Sequence, residues 1–186
     1  MENDLFQHNG YLFVPGLIDA APYYNIIKKL SEIGRGNNND KQVPGAITYY
    51  KEPFFEQLLI YILPEIELYT GYELYKTYSY ARYYHLGDEL KPHTDRKACE
   101  ITVSLTLGYE GRPWPLWIQD RKQNAHAFSL AAGDAVIFKG IELLHWREQN
   151  TYGDCGQVFL HYVDKNGPYA DEVDDKLKRS GKQHQY

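Results

Sequence analysis

The sequence predicts a mainly β domain with flanking helices (α+β), in the form of a double-stranded β-helix, or jelly-roll barrel, with N-terminal helices packed outside it. Apolar residues recur at helical spacing before about residue 70, and short alternating runs dominate after it. The chain has 186 residues, of which 43% are hydrophobic and 15% aromatic. This composition can bury one sizeable core, so a single domain is expected.

The N-terminal third is predicted to hold one strand and two helices. Residues 10–14 (GYLFV) form a short strand that a Pro-Gly pair ends. Residues 17–33 show helical spacing, and residues 53–69 form a second helix that Pro64 should kink or split. Between the helices, residues 34–45 form a polar loop with three consecutive Asn. This loop is either a plain surface connection or a lid over a site.

The remainder of the chain is predicted to form strands and loops. Strands are expected near residues 74–84, 101–107, 114–118, 135–138 and 157–163. We assign residues 1–165 to the domain. Residues 166–186 are polar and are expected to form a tail that holds one exposed helical turn or is disordered.

Charge and cysteine content restrict the partners and the compartment. The net charge is −5 and no basic block stands out, so neither nucleic acid nor an anionic membrane is an expected partner. No apolar stretch reaches membrane-spanning length, and the N-terminus lacks the features of a signal peptide. Cys99 and Cys155 do not make a disulfide framework. We therefore expect a cytoplasmic protein; the sequence carries no signal for an oligomeric state.

The candidate chemical site lies in His93-Thr94-Asp95. Side chains two residues apart on a strand point to the same face, so His93 and Asp95 would converge. A further imidazole, for which His145 is the candidate, would complete a 2-His-1-carboxylate face that binds non-heme Fe(II) and leaves positions open. The alternatives are an exposed His-Asp pair and a core His145 satisfied by hydrogen bonds. His161, on the last predicted strand, is expected to line the pocket or to be structural.

Further motifs surround the triplet in a particular order. A Tyr and a Gly precede it, and downstream a turn at Gly133-Asp134 leads into an apolar strand that is followed by His145. This order resembles that of the iron- and 2-oxoglutarate-dependent dioxygenases, in particular the prolyl 4-hydroxylase-like branch. The resemblance covers residues 5–165.

The resemblance implies an enzyme in which His93, Asp95 and His145 are the catalytic metal ligands. Its cofactors would be Fe(II), 2-oxoglutarate as co-substrate, and O₂. The implied reaction couples oxidative decarboxylation of 2-oxoglutarate to hydroxylation of a small-molecule or peptide substrate, with peptidyl proline or another amino acid as examples. The loops at residues 34–45, 108–113 and 120–125 would select the substrate.

The far carboxylate of 2-oxoglutarate requires a cation, which the family commonly supplies from the last strand. Here no cation lies between Arg147 and Lys165. We expect Arg147 to bind this carboxylate, because it shares a strand face with His145 and its fork suits a carboxylate; the alternative is an exposed charge at a strand end. Tyr83 lies where the branch places a Tyr and would assist, and Gln157 would add a neutral hydrogen bond. The next candidates for the cation are Arg82, Arg96 and Lys139.

Two other interpretations of the same residues remain open. A metal-dependent hydrolase could use the two His and the Asp, since zinc accepts these ligands, although no HExxH-type general base is present. The other interpretation is a catalytically silent, cupin-like binding module. The presence of all three candidate metal ligands weakens this interpretation.

Overall fold

The computed structural model describes residues 2–175 and contains two antiparallel β-sheets that face each other. The strands are β1 (Tyr11–Val14), β2 (Ile47–Tyr50), β3 (Leu74–Tyr84), β4 (Leu90–His93), β5 (Ile101–Tyr109), β6 (Leu116–Gln119), β7 (Ala125–Phe128), β8 (Ala135–Lys139), β9 (His145–Arg147) and β10 (Cys155–Asp164). The α-helices are α1 (Glu2–Asn9), α2 (Ala21–Glu32), α3 (Pro53–Tyr61) and α4 (Leu63–Thr70).

The larger sheet has the strand order β1-β8-β5-β10-β3-β2, and the smaller sheet has the order β4-β9-β6-β7. This is the predicted jelly-roll architecture, mainly β with helices alongside. It differs from the predicted barrel in one respect: within residues 2–175, no strand pairing joins the two sheets, so they are not closed into a continuous cylinder.

The helices cover the outer face of the larger sheet because every second residue of its strands is apolar on that side. Val158, Leu160 and Tyr162 of β10 are fully buried in this layer. Burial of each such side chain contributes about 1.5–3 kcal/mol. The Tyr162 hydroxyl donates to the Leu59 carbonyl of α3 at 2.8 Å, which fixes the helix against the strand.

The helix that was predicted over residues 53–69 is divided into α3 and α4, as the proline led us to expect. The division falls at Ile62, and Pro64 occupies the first turn of α4, where its missing N–H is tolerated. Gly71, in the left-handed conformation with φ 73°, ends α4. The helix predicted over residues 17–33 is present but begins later, at Ala21.

Beyond the last strand, the chain folds back onto β3. Residues Ala170–Asp175 form short 3-10 turns interrupted at Val173, and they pack against β3 and the 3-10 helix Lys97–Cys99. The expectation of an exposed turn is wrong at Asp175, which is fully buried because other side chains hold its carboxylate. The rest of the predicted tail, residues 176–186, lies outside the described residues.

Cys99 and Cys155 are buried, free thiols, as the absence of a disulfide framework predicts. Among residues 2–175, no helix has both the length and the apolar character needed to cross a membrane.

Candidate metal centre and its anion pocket

The space between the two sheets is lined by polar side chains from the larger sheet. Cross-strand partners of an antiparallel pair share a face, and β10 pairs with β5 so that Thr102 lies opposite His161. The inward-facing polar residues of these two strands are Thr102, Ser104, Thr106, Gln157 and His161. A polar interior in a chain with an ample apolar core indicates a binding site rather than packing.

The structure brings His93, Asp95 and His145 together at one end of this interior. His93 is the last residue of β4 and is paired in register with His145 of β9. Asp95 Oδ1 lies 3.7 Å from His93 Nε2 and 3.5 Å from His145 Nε2. One donor atom from each residue lies within 4.8 Å of the others, close enough for all three to bind one metal ion.

Hydrogen bonds orient each of these donor groups. The Nδ1 atoms of His93 and His145 lie 2.8 and 2.9 Å from the carbonyls of Lys91 and Leu143. A carbonyl only accepts, so each Nδ1 carries the proton and each Nε2 keeps its lone pair. The Thr102 hydroxyl donates to Asp95 Oδ2 at 2.9 Å, which leaves Oδ1 facing the imidazoles. Such supporting bonds are typical of metal ligands.

Gly140 is a further residue that positions this centre, and its role could not be recognised from the sequence. Its carbonyl accepts the backbone N–H of Asp95 at 2.8 Å. A Cβ at this position would collide with Asp95 Oδ2 and the Cys99 carbonyl. Only glycine therefore allows the turn after β8 to approach the carboxylate so closely.

Electrostatics favour the metal-binding states of Asp95 and His93. Burial alone would raise the pKa of Asp95, but His145 and the other imidazoles hold the pKa well below its ordinary value, so the carboxylate is ionised. Burial, reinforced by His145, lowers the pKa of His93 and favours the neutral ring. A carboxylate and neutral imidazoles are the ligand forms that bind a divalent metal.

A second group of potential ligands, Asp95, Cys99 and His161, shares the same carboxylate. Burial raises the pKa of the Cys99 thiol well above its ordinary value, so the thiolate that a metal needs is disfavoured. The Cys99 sulfur also contacts the Tyr78 hydroxyl at 3.0 Å. The His93, Asp95 and His145 set is therefore the better metal site.

Arg147 lies on β9, two residues from His145, and its side chain is fully buried. Its Nη1 donates to the carbonyl of Trp114, and its Cζ lies 5.1 Å from the centre of the Trp114 ring. Within the described part of the chain, Nε and Nη2 have no hydrogen-bond partner. Burial without a carboxylate lowers the pKa of the guanidinium. The alternative of an exposed strand-end charge is therefore wrong for Arg147.

Solved structures with similar folds include a prolyl-4-hydroxylase from Pseudomonas putida, with a TM-score of 0.71 and 15% identity over 87% of this chain and 96% of that chain. A prolyl hydroxylase in complex with a hypoxia-inducible-factor peptide from Trichoplax adhaerens has a TM-score of 0.71 and 12% identity, over 95% of this chain and 90% of that chain. The epimerase SnoN, in complex with Fe³⁺, α-ketoglutarate and nogalamycin RO, has a TM-score of 0.71 and 13% identity, over 86% of this chain and 80% of that chain. The chain has the prolyl hydroxylase fold. No protein-family model and no curated protein matches the sequence.

In this prolyl hydroxylase fold, the other residues expected to bind 2-oxoglutarate occupy different places. Gln157 lies in the interior and donates to the Thr106 hydroxyl at 2.9 Å and to the Cys155 sulfur at 3.1 Å. The structure does not bring Tyr83 into the interior. Tyr83 lies on the outer face of β3, in the apolar layer with Ile27 of α2.

The adjacent residue, Tyr84, faces the interior, and it was not among the residues predicted from the sequence. Its ring centre lies 5.0 Å from that of Trp114, and the side chain is fully buried. Burial raises the pKa of its hydroxyl, while the charges of Arg82 and Arg147 act in the opposite direction. The signal that could have identified it is the alternation of β3, in which Arg82 and Tyr84 share a face.

The other three candidate cations already have acidic partners. Arg82 binds Asp40 at 2.8 Å in a buried pair, and it also donates to Gln42 at 2.6 Å. Arg96 binds the carboxylate of Asp175, and Lys139 lies 3.5 Å from Glu142. Arg147 is thus the buried guanidinium of residues 2–175 to which the structure gives no carboxylate.

Proposed function

We propose that the protein is an Fe(II)- and 2-oxoglutarate-dependent oxygenase that hydroxylates a small-molecule or peptide substrate. The observation that carries the proposal is the pairing of two features on β9. His145 belongs to a facial His-Asp-His set, and Arg147 offers two buried donors without a partner. His145 and Arg147 lie two residues apart on β9 and so share one face of that strand, and the fold is that of solved prolyl hydroxylases.

The residues present fit the metal. His93 Nε2, His145 Nε2 and Asp95 Oδ1 would hold Fe(II) on one face, and the opposite face would stay open for the co-substrate and O₂. When bound, iron and 2-oxoglutarate supply the oxidising chemistry, in which O₂ is consumed, 2-oxoglutarate is converted to succinate and CO₂, and a C–H bond is hydroxylated.

The residues also fit the far carboxylate of 2-oxoglutarate. A buried guanidinium without a counter-charge is unfavourable, and an incoming carboxylate would satisfy both its charge and its free donors. Trp114 covers the guanidinium, Tyr84 packs against the Trp114 ring, and the arginine side chain is fully buried. Because Arg147 and His145 are two residues apart on one strand, the backbone sets their Cα atoms about 7 Å apart and fixes the anchor relative to the proposed metal ligand.

This feature also separates the proposal from the two alternatives. A metal hydrolase on the same ligands gives no reason for a buried guanidinium with unmet donors. A silent binding module would not need the ligand-orienting bonds to His93, Asp95 and His145. We further propose a cytoplasmic location, which the free thiols of Cys99 and Cys155 support.

The test is anaerobic titration of the metal-free protein with Fe(II) and then with 2-oxoglutarate. We expect one iron per chain and a weak charge-transfer band in the visible spectrum once 2-oxoglutarate is added. Asp95→Ala should bind no stoichiometric iron. The matched control is Asp120→Ala, which removes the carboxylate of a surface His-Asp pair, Asp120 with His126 at 2.9 Å. Iron retained by Asp95→Ala, or the absence of a band in the wild type, would contradict the proposal.

A further inference from the structure

The carboxylate of Asp175 is held in a complete binding site although it belongs to the terminal part of the described chain. Arg96 binds it with both ends of its fork, with Nη1 2.7 Å from Oδ1 and Nη2 2.8 Å from Oδ2. The Tyr50 hydroxyl donates to Oδ2 at 2.6 Å. Asp175 is fully buried by these contacts. A two-pronged guanidinium with a phenol is a specific carboxylate receptor.

This receptor adjoins the metal centre. Arg96 directly follows the proposed ligand Asp95, and its Cζ lies 4.6 Å from the centre of the Tyr78 ring. The Tyr78 ring is in turn 4.6 Å from that of His161. His161 Nδ1 lies 3.1 Å from the Thr102 hydroxyl that donates to Asp95. A continuous series of side-chain contacts therefore connects the bound carboxylate with the proposed iron site.

Further basic groups surround the same segment. Lys51 Nζ donates to the Asp174 carbonyl at 2.8 Å, and Lys76 Nζ lies 2.8 Å from the Asp174 carboxylate. Lys97 Nζ lies 5.7 Å from the centre of the Tyr169 ring. In a chain of net charge −5, this concentration of cations beside the site suits an acidic ligand.

The docked segment carries signs of an imperfect fit. Asp174 and Asp175 have φ values of 57° and 53°, in the left-handed region that residues with a Cβ rarely adopt. Within residues 2–175, Glu172 Oε2 is buried without a hydrogen-bond partner. The contacts at Asp175 therefore hold a segment that has unfavourable backbone dihedral angles and an unpaired buried oxygen. These costs favour replacement of Asp175 by the carboxylate of a ligand that does not carry them.

We propose that Arg96 and Tyr50 form a subsite for a carboxylate of the substrate, and that Asp175 occupies this subsite as an internal ligand. An acidic substrate, either a small acid or an acidic residue of a peptide, displaces Asp175 to bind. The role as a substrate subsite rests on the proposed oxygenase function, whereas the exchange of carboxylates at Arg96 is independent of it. The chemical class of the substrate is thereby narrowed to molecules that carry a carboxylate near the oxidised carbon.

The experiment measures carboxylate binding to the full chain by calorimetry in the absence of iron and 2-oxoglutarate. The probes are N-acetyl-aspartate methylamide and the blocked pentapeptide DEVDD, the sequence of residues 171–175. N-acetyl-asparagine methylamide is the neutral probe. The variants are Asp175→Ala and Asp175→Asn, and the control is Asp171→Asn, which removes a charge from an exposed position of the same segment. Thermal melting establishes that each variant is folded.

We expect at least one acidic probe to bind both Asp175 variants about tenfold or more tightly than it binds the wild type, because the receptor is vacated. Asp171→Asn should show no such gain, and neither should the neutral probe. Adding Arg96→Gln to Asp175→Ala should abolish the gain. Preference for the pentapeptide would indicate a peptide substrate, and equal binding of the single amino acid would indicate a small acid.

Two results would overturn the inference: no gain in affinity for either acidic probe in the folded Asp175 variants, or a gain that persists after Arg96→Gln. Either result would leave Asp175 with Arg96 as a structural ion pair. Because no iron is present in this assay, a negative result leaves the iron and 2-oxoglutarate titration unaffected. A failed titration would equally leave the carboxylate exchange intact, so the two proposals can fail separately.

Discussion

Substitution of Arg147 by methionine should weaken 2-oxoglutarate binding strongly without destabilising the protein. Nε and Nη2 are the two buried donors available to the carboxylate. A hydrogen bond to a charged group contributes about 1.5–3 kcal/mol, so two of them contribute at least about 3 kcal/mol. Since about 1.4 kcal/mol is a factor of ten, the dissociation constant should rise by about 10²-fold or more. Iron binding should be retained, because His145 keeps its own contacts.

Loss of Arg147 should not lower the free energy of unfolding of the ligand-free protein, whereas loss of an arginine from a buried ion pair should lower it. The Arg147→Met substitution would leave the Trp114 carbonyl without its donor, at a cost of about 1–3 kcal/mol. Removal of an unpaired buried charge relieves a desolvation penalty of several kcal/mol, so the net effect should be neutral or stabilising. Arg82→Met is the matched control. This substitution leaves the buried carboxylate of Asp40 without its cationic partner and should lower the free energy of unfolding by about 3–5 kcal/mol.

Thermal melting with Fe(II) under anaerobic conditions measures both quantities. At a 2-oxoglutarate concentration of about 100 times the dissociation constant, the wild type gains about 2.7 kcal/mol. For a chain of this size, each kcal/mol shifts the melting temperature by about 2–4 °C, so the expected shift is about 5–11 °C. With a dissociation constant about 10²-fold higher, Arg147→Met should gain at most about 0.4 kcal/mol at the same concentration, a shift of at most about 2 °C. Wild-type affinity in this variant, or a loss of stability as large as that of Arg82→Met, would refute the assignment of Arg147 as the anchor.

Three further predictions concern the neighbours of this pocket. Tyr83→Phe should leave the 2-oxoglutarate dissociation constant unchanged, whereas Tyr84→Phe should raise it by up to about tenfold, since only Tyr84 faces the interior; equal effects in the same titration would contradict this placement. Burial raises the pKa of Asp40 but the larger combined effect of its guanidinium partner and hydrogen bonds lowers it, so its contribution to stability exists above the ordinary pKa of 3.8 and is lost as the pH falls below it. The difference in urea midpoint between wild type and Asp40→Asn should therefore shrink on acidification, and a constant difference would argue against the ion pair. Gln157→Lys should weaken 2-oxoglutarate binding in the wild type but partly restore it in Arg147→Met; failure to restore would show that residue 157 cannot reach the carboxylate.

Local patterns predicted the elements that carry the candidate metal ligands. The alternation of His93 and Asp95 about Thr94 predicted that their side chains lie on one face, and the apolar run at residues 135–138 predicted strand β8. Their convergence depends on the pairing of β4 with β9, which joins residues about 50 positions apart and has no local signal. The family resemblance, rather than periodicity, brought His145 into the prediction.

The assignment of Tyr83 depended on a register that the sequence does not fix. Two consecutive tyrosines end β3, and a shift of one residue exchanges the inner and outer faces of the whole strand. With 18 tyrosines in the chain, composition cannot choose between Tyr83 and Tyr84. The pairing of β3 with β10 makes the choice, because it places Gly156 and Tyr83 together under α2.

Other features lacked any local signal. β2 and β7 have four residues each and lie at sheet edges, where a short strand leaves little pattern to detect. The burial of Asp175 depends on Arg96 and Tyr50, which are 79 and 125 residues away in sequence. A polar segment was therefore predicted to be exposed, whereas long-range charge pairing holds it in place.

The last strand, β10, carries no cation at the proposed anion pocket because Arg147 supplies the positive charge from β9. In two facing sheets, a pocket between them can be reached from either side, and an arginine is long enough to supply from β9 the charge that β10 lacks. Gln157 and Cys155 of β10 are neutral at this point, and burial keeps the Cys155 thiol protonated by raising its pKa. A second cation on β10 would repel the buried guanidinium of Arg147. A neutral last strand is thus the electrostatic counterpart of a buried arginine on β9, and it is consistent with the proposed binding of a dicarboxylate between the two sheets.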